Sequence, residues 1–155
     1  MENNHKNFDP SNSIHPTAII YDNVTLGKGN KIGAYSVIGS NGEIRNVEKF
    51  EGTVIIGDNN IISELVTIQR PAIAGQSTII GDNNILMAHS HVGHDAKIGS
   101  KCEISSGSII GGYVVIEDEV KIKLKCVIRN RKKVGKGALI GMGSVVVKDI
   151  EAGKT

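Results

Sequence analysis

Three of the five histidines in this 155-residue chain, His89, His91 and His94, fall within six residues in the string HSHVGHD. Asp95 follows His94 directly. A carboxylate beside an imidazole orients the ring and raises its basicity, which suits a general base working near neutral pH. His94 is therefore the candidate base and Asp95 its partner, with His91 a second candidate functional residue, while His89 reads equally well as a bystander. Histidines with four residues between them, such as His89 and His94, also bind metals. An open zinc site needs three protein ligands, and this string supplies two, so no metal is assigned.

The element that must carry these side chains is read from a period of six. Stepping by six from Ile14, every position to Val146 is apolar, among them Ile20, Ile38, Ile44, Phe50, Ala74 and Ile98. A helix would place apolar residues three and four apart, and an ordinary strand would alternate by two. A strict six fits short strands joined by tight corners, each sending one aliphatic side chain inward. Such hexads signal an all-β parallel β-helix, a triangular prism with three hexads to a coil and coils stacked at about 4.8 Å. Four residues after the inward position there is usually a small corner residue, as at Ala18, Ser36, Ser90, Ala96 and Ser108. Cys102 and Cys126 take the same position and read as core packing. Residues 1–13, with His5, read as a flexible N-terminal arm, and 14–155 as one prism domain. Loop excursions are expected near 40–55, where charges crowd, and near 70–78, where Pro71 and Gly75 interrupt the pattern.

Composition narrows the function. The chain has 18 basic and 16 acidic residues, a net charge of +2, which argues against nucleic acid or an anionic membrane as the main partner. Two cysteines are too few for a disulfide framework. The polar opening stretch and the lack of a long apolar run indicate no membrane insertion and a cytoplasmic location.

The strings IHPTAII, IGDNNIISELVTIQR and IIGDNNILMAHSHVGHD resemble the acyl-carrier-protein-dependent UDP-N-acetylglucosamine acyltransferases of lipid A synthesis. The stretch GALIGMGSVVVKDIEAGKT also resembles sugar acetyltransferases that use acetyl-CoA. The resemblance implies a single-stranded left-handed parallel β-helix, an exception to the right-handed crossover rule, and a homotrimer with active sites between subunits. It implies His94 as base with Asp95, His91 as a substrate contact, and the Gly111 backbone N–H as oxyanion donor. Glu43 and Arg45 match its substrate loop, and Met142 matches a gauge of acyl length, its bulk favouring a short chain. Two departures stand out. The family has a second His after the glycine, where Gly112 stands, and His-Gln where this chain has Arg129-Asn130. The basic run Arg129 to Lys133 reads either as a phosphate-binding patch or as a solvated edge.

The expected function is transfer of a short acyl group from acyl carrier protein or coenzyme A to a hydroxyl or amine of a nucleotide-linked amino sugar. The thioester is a co-substrate, and no tightly bound cofactor is expected. Two alternatives are a gamma-class carbonic anhydrase-like metalloenzyme, whose third His would fall at Thr53, and a non-catalytic β-helix scaffold.

Overall fold

The computed structural model describes residues 7–155, so His5 and the first six residues of the expected arm lie outside the described residues. Among the described residues the chain forms twenty short strands, β1 (Ser13–Ile14) to β20 (Val145–Val146), and no α-helix. No helix of the described residues is long and apolar enough to cross a membrane.

Every third strand returns to the same sheet, giving three parallel sheets of seven, seven and six strands. They are the three walls of a left-handed parallel β-helix. The second wall carries the site. Its strands are β2 (Ile19–Ile20), β5 (Val37–Asn41), β8 (Thr67–Arg70), β11 (His91–Val92), β14 (Ile109–Ile110), β17 (Val127–Ile128) and β20. In most two-residue strands the second residue points inward. Ile62, Ile68, Leu86, Ile98, Ile104, Ile110 and Ile122 are fully buried, stacked as one aliphatic column. Each such side chain contributes on the order of 1.5–3 kcal/mol by leaving water.

Register shows how the chain leaves the wall. Paired residues lie 18 apart over most of the prism, as with His91 and Ile109. Across the first insertion they lie 30 apart (Val37 with Thr67), and across the second 24 apart (Thr67 with His91). The insertions are two hexads and one hexad long, so the sequence phase survives them. Ile44, Phe50 and Ala74 keep the six-residue step, but none is in a strand and none is buried. The period alone therefore placed them wrongly as inward residues. The strand-free segments are residues 42–52 and 71–76.

Two polar ladders support the corner between the third and first walls. Buried Asn30, Asn60 and Asn84 form one: the Asn60 N–H donates to Asn30 Oδ1, the Asn84 N–H to Asn60 Oδ1, and the Cys102 N–H to Asn84 Oδ1, at 2.8–2.9 Å. It begins at Asn12, whose Oδ1 accepts from the Asn30 N–H at 2.8 Å. Residues at the end of the expected arm are thus tied to the first coil. Outside it, Asp58, Asp82 and Ser100 accept backbone N–H groups one coil earlier. Gly57 is required there because a Cβ would strike the Asp82 carboxylate. Cys102 and Cys126 are free and buried.

Candidate active site

His94 and Asp95 form the turn that follows β11. The Asp95 backbone takes the left-handed conformation (φ 61°). It is held there by Thr78, whose Oγ1 accepts the Asp95 N–H at 2.8 Å while donating to the Gln69 carbonyl at 2.7 Å. The turn is thereby bolted to the preceding coil. Asp95 Oδ2 lies 2.8 Å from His94 Nδ1, and both side chains are largely buried. A carboxylate at Nδ1 fixes the proton on that nitrogen, leaving Nε2 as the lone-pair site.

Nε2 looks toward the next coil. Eighteen residues on, Gly112 occupies the position equivalent to His94, and a Cβ built on it would lie 2.7 Å from His94 Nε2. The built Cβ would also lie 2.8 Å from Cε1 and 3.2 Å from Cδ2, so the absence of a side chain at Gly112 lets the imidazole pack against the backbone of the next coil. Among the described residues, the Gly112 N–H has no protein partner.

Gly111 differs. Its N–H donates to the Ile128 carbonyl at 3.0 Å, within the bonding between coils. The amide expected to serve as oxyanion donor is thus engaged between coils, whereas the neighbouring Gly112 amide makes no bond to the described protein.

A cleft of about 340 Å³ opens over these groups, lined by Glu43, Gln69, His91, Gly93, His94, Ile109, Gly111, Gly112 and Asn130. A cavity of about 360 Å³ at the last coil has neither an imidazole nor a carboxylate side chain in its lining. In the site cleft, His91 pairs in register with Thr67 and Ile109, and its Nδ1 lies 2.7 Å from Thr67 Oγ1. Burial holds the His91 pKa below the usual histidine range; Glu43 acts against this and His94 reinforces it. His91 is a neutral hydrogen-bonding group at neutral pH.

The structure gathers His91, His94, Glu43, Gly111 and Asn130 around one cleft and places Asp95 behind His94. Arg45 and Arg129 are exposed and outside this lining. Met142 sits on the corner between the first and second walls, 71% exposed, and does not line the cleft of its own chain. His89, in a left-handed turn, is exposed and also outside it. Among the described residues no three of His, Cys, Asp and Glu converge as metal ligands. Sequence reasoning missed Gln69, Thr67, Thr78, Gly112 and Tyr113. Counting one coil of eighteen from His94 would have found Gly112, but Gln69 and Thr78 carry no such signal, because the insertion between them hides their proximity.

The comparisons agree with this architecture. The family model described as the GMPPB C-terminal domain matches residues 35–136. A UDP-N-acetylglucosamine acyltransferase from Bacteroides fragilis is 37% identical, with a TM-score of 0.87, over 90% of this chain and 55% of that one. One from Francisella novicida is 29% identical, with a TM-score of 0.72, over 91% of this chain and 63% of that one. An acyl-[acyl-carrier-protein]–UDP-N-acetylglucosamine O-acyltransferase from Rickettsia canadensis is 39% identical over 39% of this chain and 25% of that protein. The chain thus spans a quarter of that curated relative and about half of the Bacteroides structure. With well over half of its length matched, the chain belongs to the GMPPB C-terminal domain family, and its prism is built from the hexapeptide repeats of the acyltransferases it resembles.

Proposed function

We propose that this chain transfers an acyl group from a thioester carrier, acyl carrier protein or coenzyme A, to a hydroxyl or amine of a nucleotide-linked amino sugar in lipid A-like or surface-polysaccharide synthesis. The observation that carries the reading is the 2.8 Å His94–Asp95 pair in a cleft that His94 shares with Gly112, whose amide makes no bond to the described protein. The relatives whose names specify UDP-N-acetylglucosamine acylation support the substrate class.

In this mechanism His94 Nε2 takes the acceptor proton as the acceptor oxygen or nitrogen attacks the thioester carbonyl carbon. A positioned base of this kind supplies roughly 10²–10⁴ in rate. Asp95 stabilises the imidazolium that forms. The Gly112 N–H donates to the carbonyl oxygen as it becomes an oxyanion, a contribution on the order of 3–4 kcal/mol for one well-placed donor. Collapse breaks the C–S bond, and the proton held by His94 passes to the leaving thiolate. Glu43, His91 and Asn130 orient the sugar. Arg129 and Arg45 receive charged parts of the substrates from outside the cleft.

The assembly is a homotrimer in the cytoplasm with the cleft completed by a neighbouring subunit. In that setting Met142 gauges a short acyl chain from the facing copy. Supporting this, the outward row of the second wall (Ile19, Val37, Thr67, His91, Ile109, Val127, Val145) carries no Lys, Arg, Asp or Glu. The test is a mass-spectrometric panel of acyl-carrier-protein and acyl-CoA thioesters of different lengths against UDP-sugars. Acylated nucleotide-sugar is the expected product; a panel with none formed by any pair refutes the reading.

A further inference from the structure

Tyr113 is held in a conformation that glycine favours and tyrosine seldom adopts. Its φ is 60°, matching Asp95 (61°) one coil earlier and Arg131 (63°) one coil later. The three side chains leave equivalent corners of successive coils. Backbone bonds tie the column to the catalytic turn: the Tyr113 N–H donates to the His94 carbonyl at 3.0 Å, and the Arg131 N–H to the Gly112 carbonyl at 2.9 Å.

The side chains interlock as well. The Tyr113 and His94 ring centroids are 5.2 Å apart with the planes at 89°, an edge-to-face contact of the kind aromatic quadrupoles favour. The Arg131 guanidinium lies 4.1 Å from the Tyr113 centroid, within cation–π range. Behind His94, the backbone of Gly42 approaches so closely that a Cβ there would lie 2.8 Å from His94 Cβ. Asp95 at Nδ1, Gly42 behind, Tyr113 across the ring and the Gly112 backbone beside Nε2 and Cε1 thus restrain the imidazole.

Tyr113 is not among the residues lining the catalytic cleft. It lines a separate cleft of about 400 Å³ with Asp95, Lys97 and Gln76 on the other side of the same corner. We infer that Tyr113, pinned by Arg131, is a positioning residue that holds the His94 imidazole in its reactive orientation. The inference rests on the reading of His94 as the base. The ring does the positioning, so the hydroxyl is dispensable.

The test uses Tyr113→Gly, which suits the backbone angle and removes the ring, and Tyr113→Phe, which keeps it. Expected for Tyr113→Gly is a kcat lower by on the order of 10–100-fold, as misoriented catalytic groups give, with the acceptor KM unchanged within about twofold. Tyr113→Phe restores kcat. In NMR spectra the His94 ring-proton shifts move in Tyr113→Gly and stay near wild type in Tyr113→Phe. Wild-type kcat and unmoved His94 shifts in Tyr113→Gly overturn the inference. So does an equal loss in Tyr113→Phe, which would assign the work to the hydroxyl. The His94→Ala variant separates the two levels. If it turns over normally, the reading of the site fails; if it is inactive while Tyr113→Gly is fully active, only the positioning role fails.

Discussion

A Cβ on Gly112 would lie 2.7 Å from His94 Nε2 and 2.8 Å from Cε1, so the imidazole packs where it does because residue 112 has no side chain. The adjacent glycine has a different neighbourhood. A Cβ on Gly111 would meet the Asn130 backbone nitrogen at 2.8 Å and the Ile128 carbonyl oxygen at 2.9 Å. Two neighbouring glycines thus serve the site and the fold separately.

Alanine substitutions should divide along that line. In Gly112→Ala the methyl meets the His94 ring and displaces it, so turnover falls by about 100-fold, a larger effect on activity than on the melting temperature. In Gly111→Ala the methyl meets backbone on the next coil, and overpacking of this kind costs about 1–3 kcal/mol. Paired measurements of kcat and denaturant unfolding check both outcomes.

Acid should weaken the fold through His91. Burial lowers its folded pKa below the ordinary 6.5 that the unfolded chain retains. Above about 6.5 both states hold the neutral ring and the group contributes no pH dependence. Below that value the unfolded chain takes up the proton more readily, so stability falls as pH drops toward the folded pKa and levels beneath it. The stability difference between wild type and His91→Gln should therefore shrink from about pH 7.5 to about pH 5. A difference constant across that range contradicts the assignment.

The asparagine ladder predicts a stability effect away from the site. Asn60 accepts from the Asn84 N–H and donates to Asn30 Oδ1 and the Gly81 carbonyl, all at 2.9–3.0 Å in a buried corner. Asn60→Ala strands a buried donor, and the expected loss is about 2–4 kcal/mol. Urea unfolding reads it directly, and a loss below about 0.5 kcal/mol would mean that water replaces the amide.

Thr67 should matter to His91 and little to the fold. Its Oγ1 lies 2.7 Å from His91 Nδ1 on neighbouring strands. Thr67→Val keeps the β-branched shape and removes the hydrogen bond that orients the imidazole. The expected result is an acceptor KM raised about tenfold with kcat little changed, and an unaltered KM would separate Thr67 from substrate binding.

The wall was legible in the sequence because each inward position is aliphatic and neighbouring coils demand nothing else of it. The loops were half-hidden, since insertions of one and two hexads leave Ile44, Phe50 and Ala74 in phase while removing them from the core. His94 and Asp95 were legible because their contact is local. Gly111 and Gly112 look alike in a string; only the Gly111 bond to the Ile128 carbonyl separates the two amides. Tyr113 stands one coil of eighteen after Asp95, whereas Thr78 meets Gln69 across an insertion, where chain position gives no warning. Lys132, in a corner that is small elsewhere, faces Asp149 at 3.9 Å near the last coil.

The most direct measurement is the rate of acyl transfer by His94→Ala, with thioester and nucleotide-sugar saturating and the fold verified by its melting curve. The account predicts turnover reduced by at least about 100-fold with the thermal transition preserved. A folded His94→Ala protein that transfers acyl groups at the wild-type rate would contradict it.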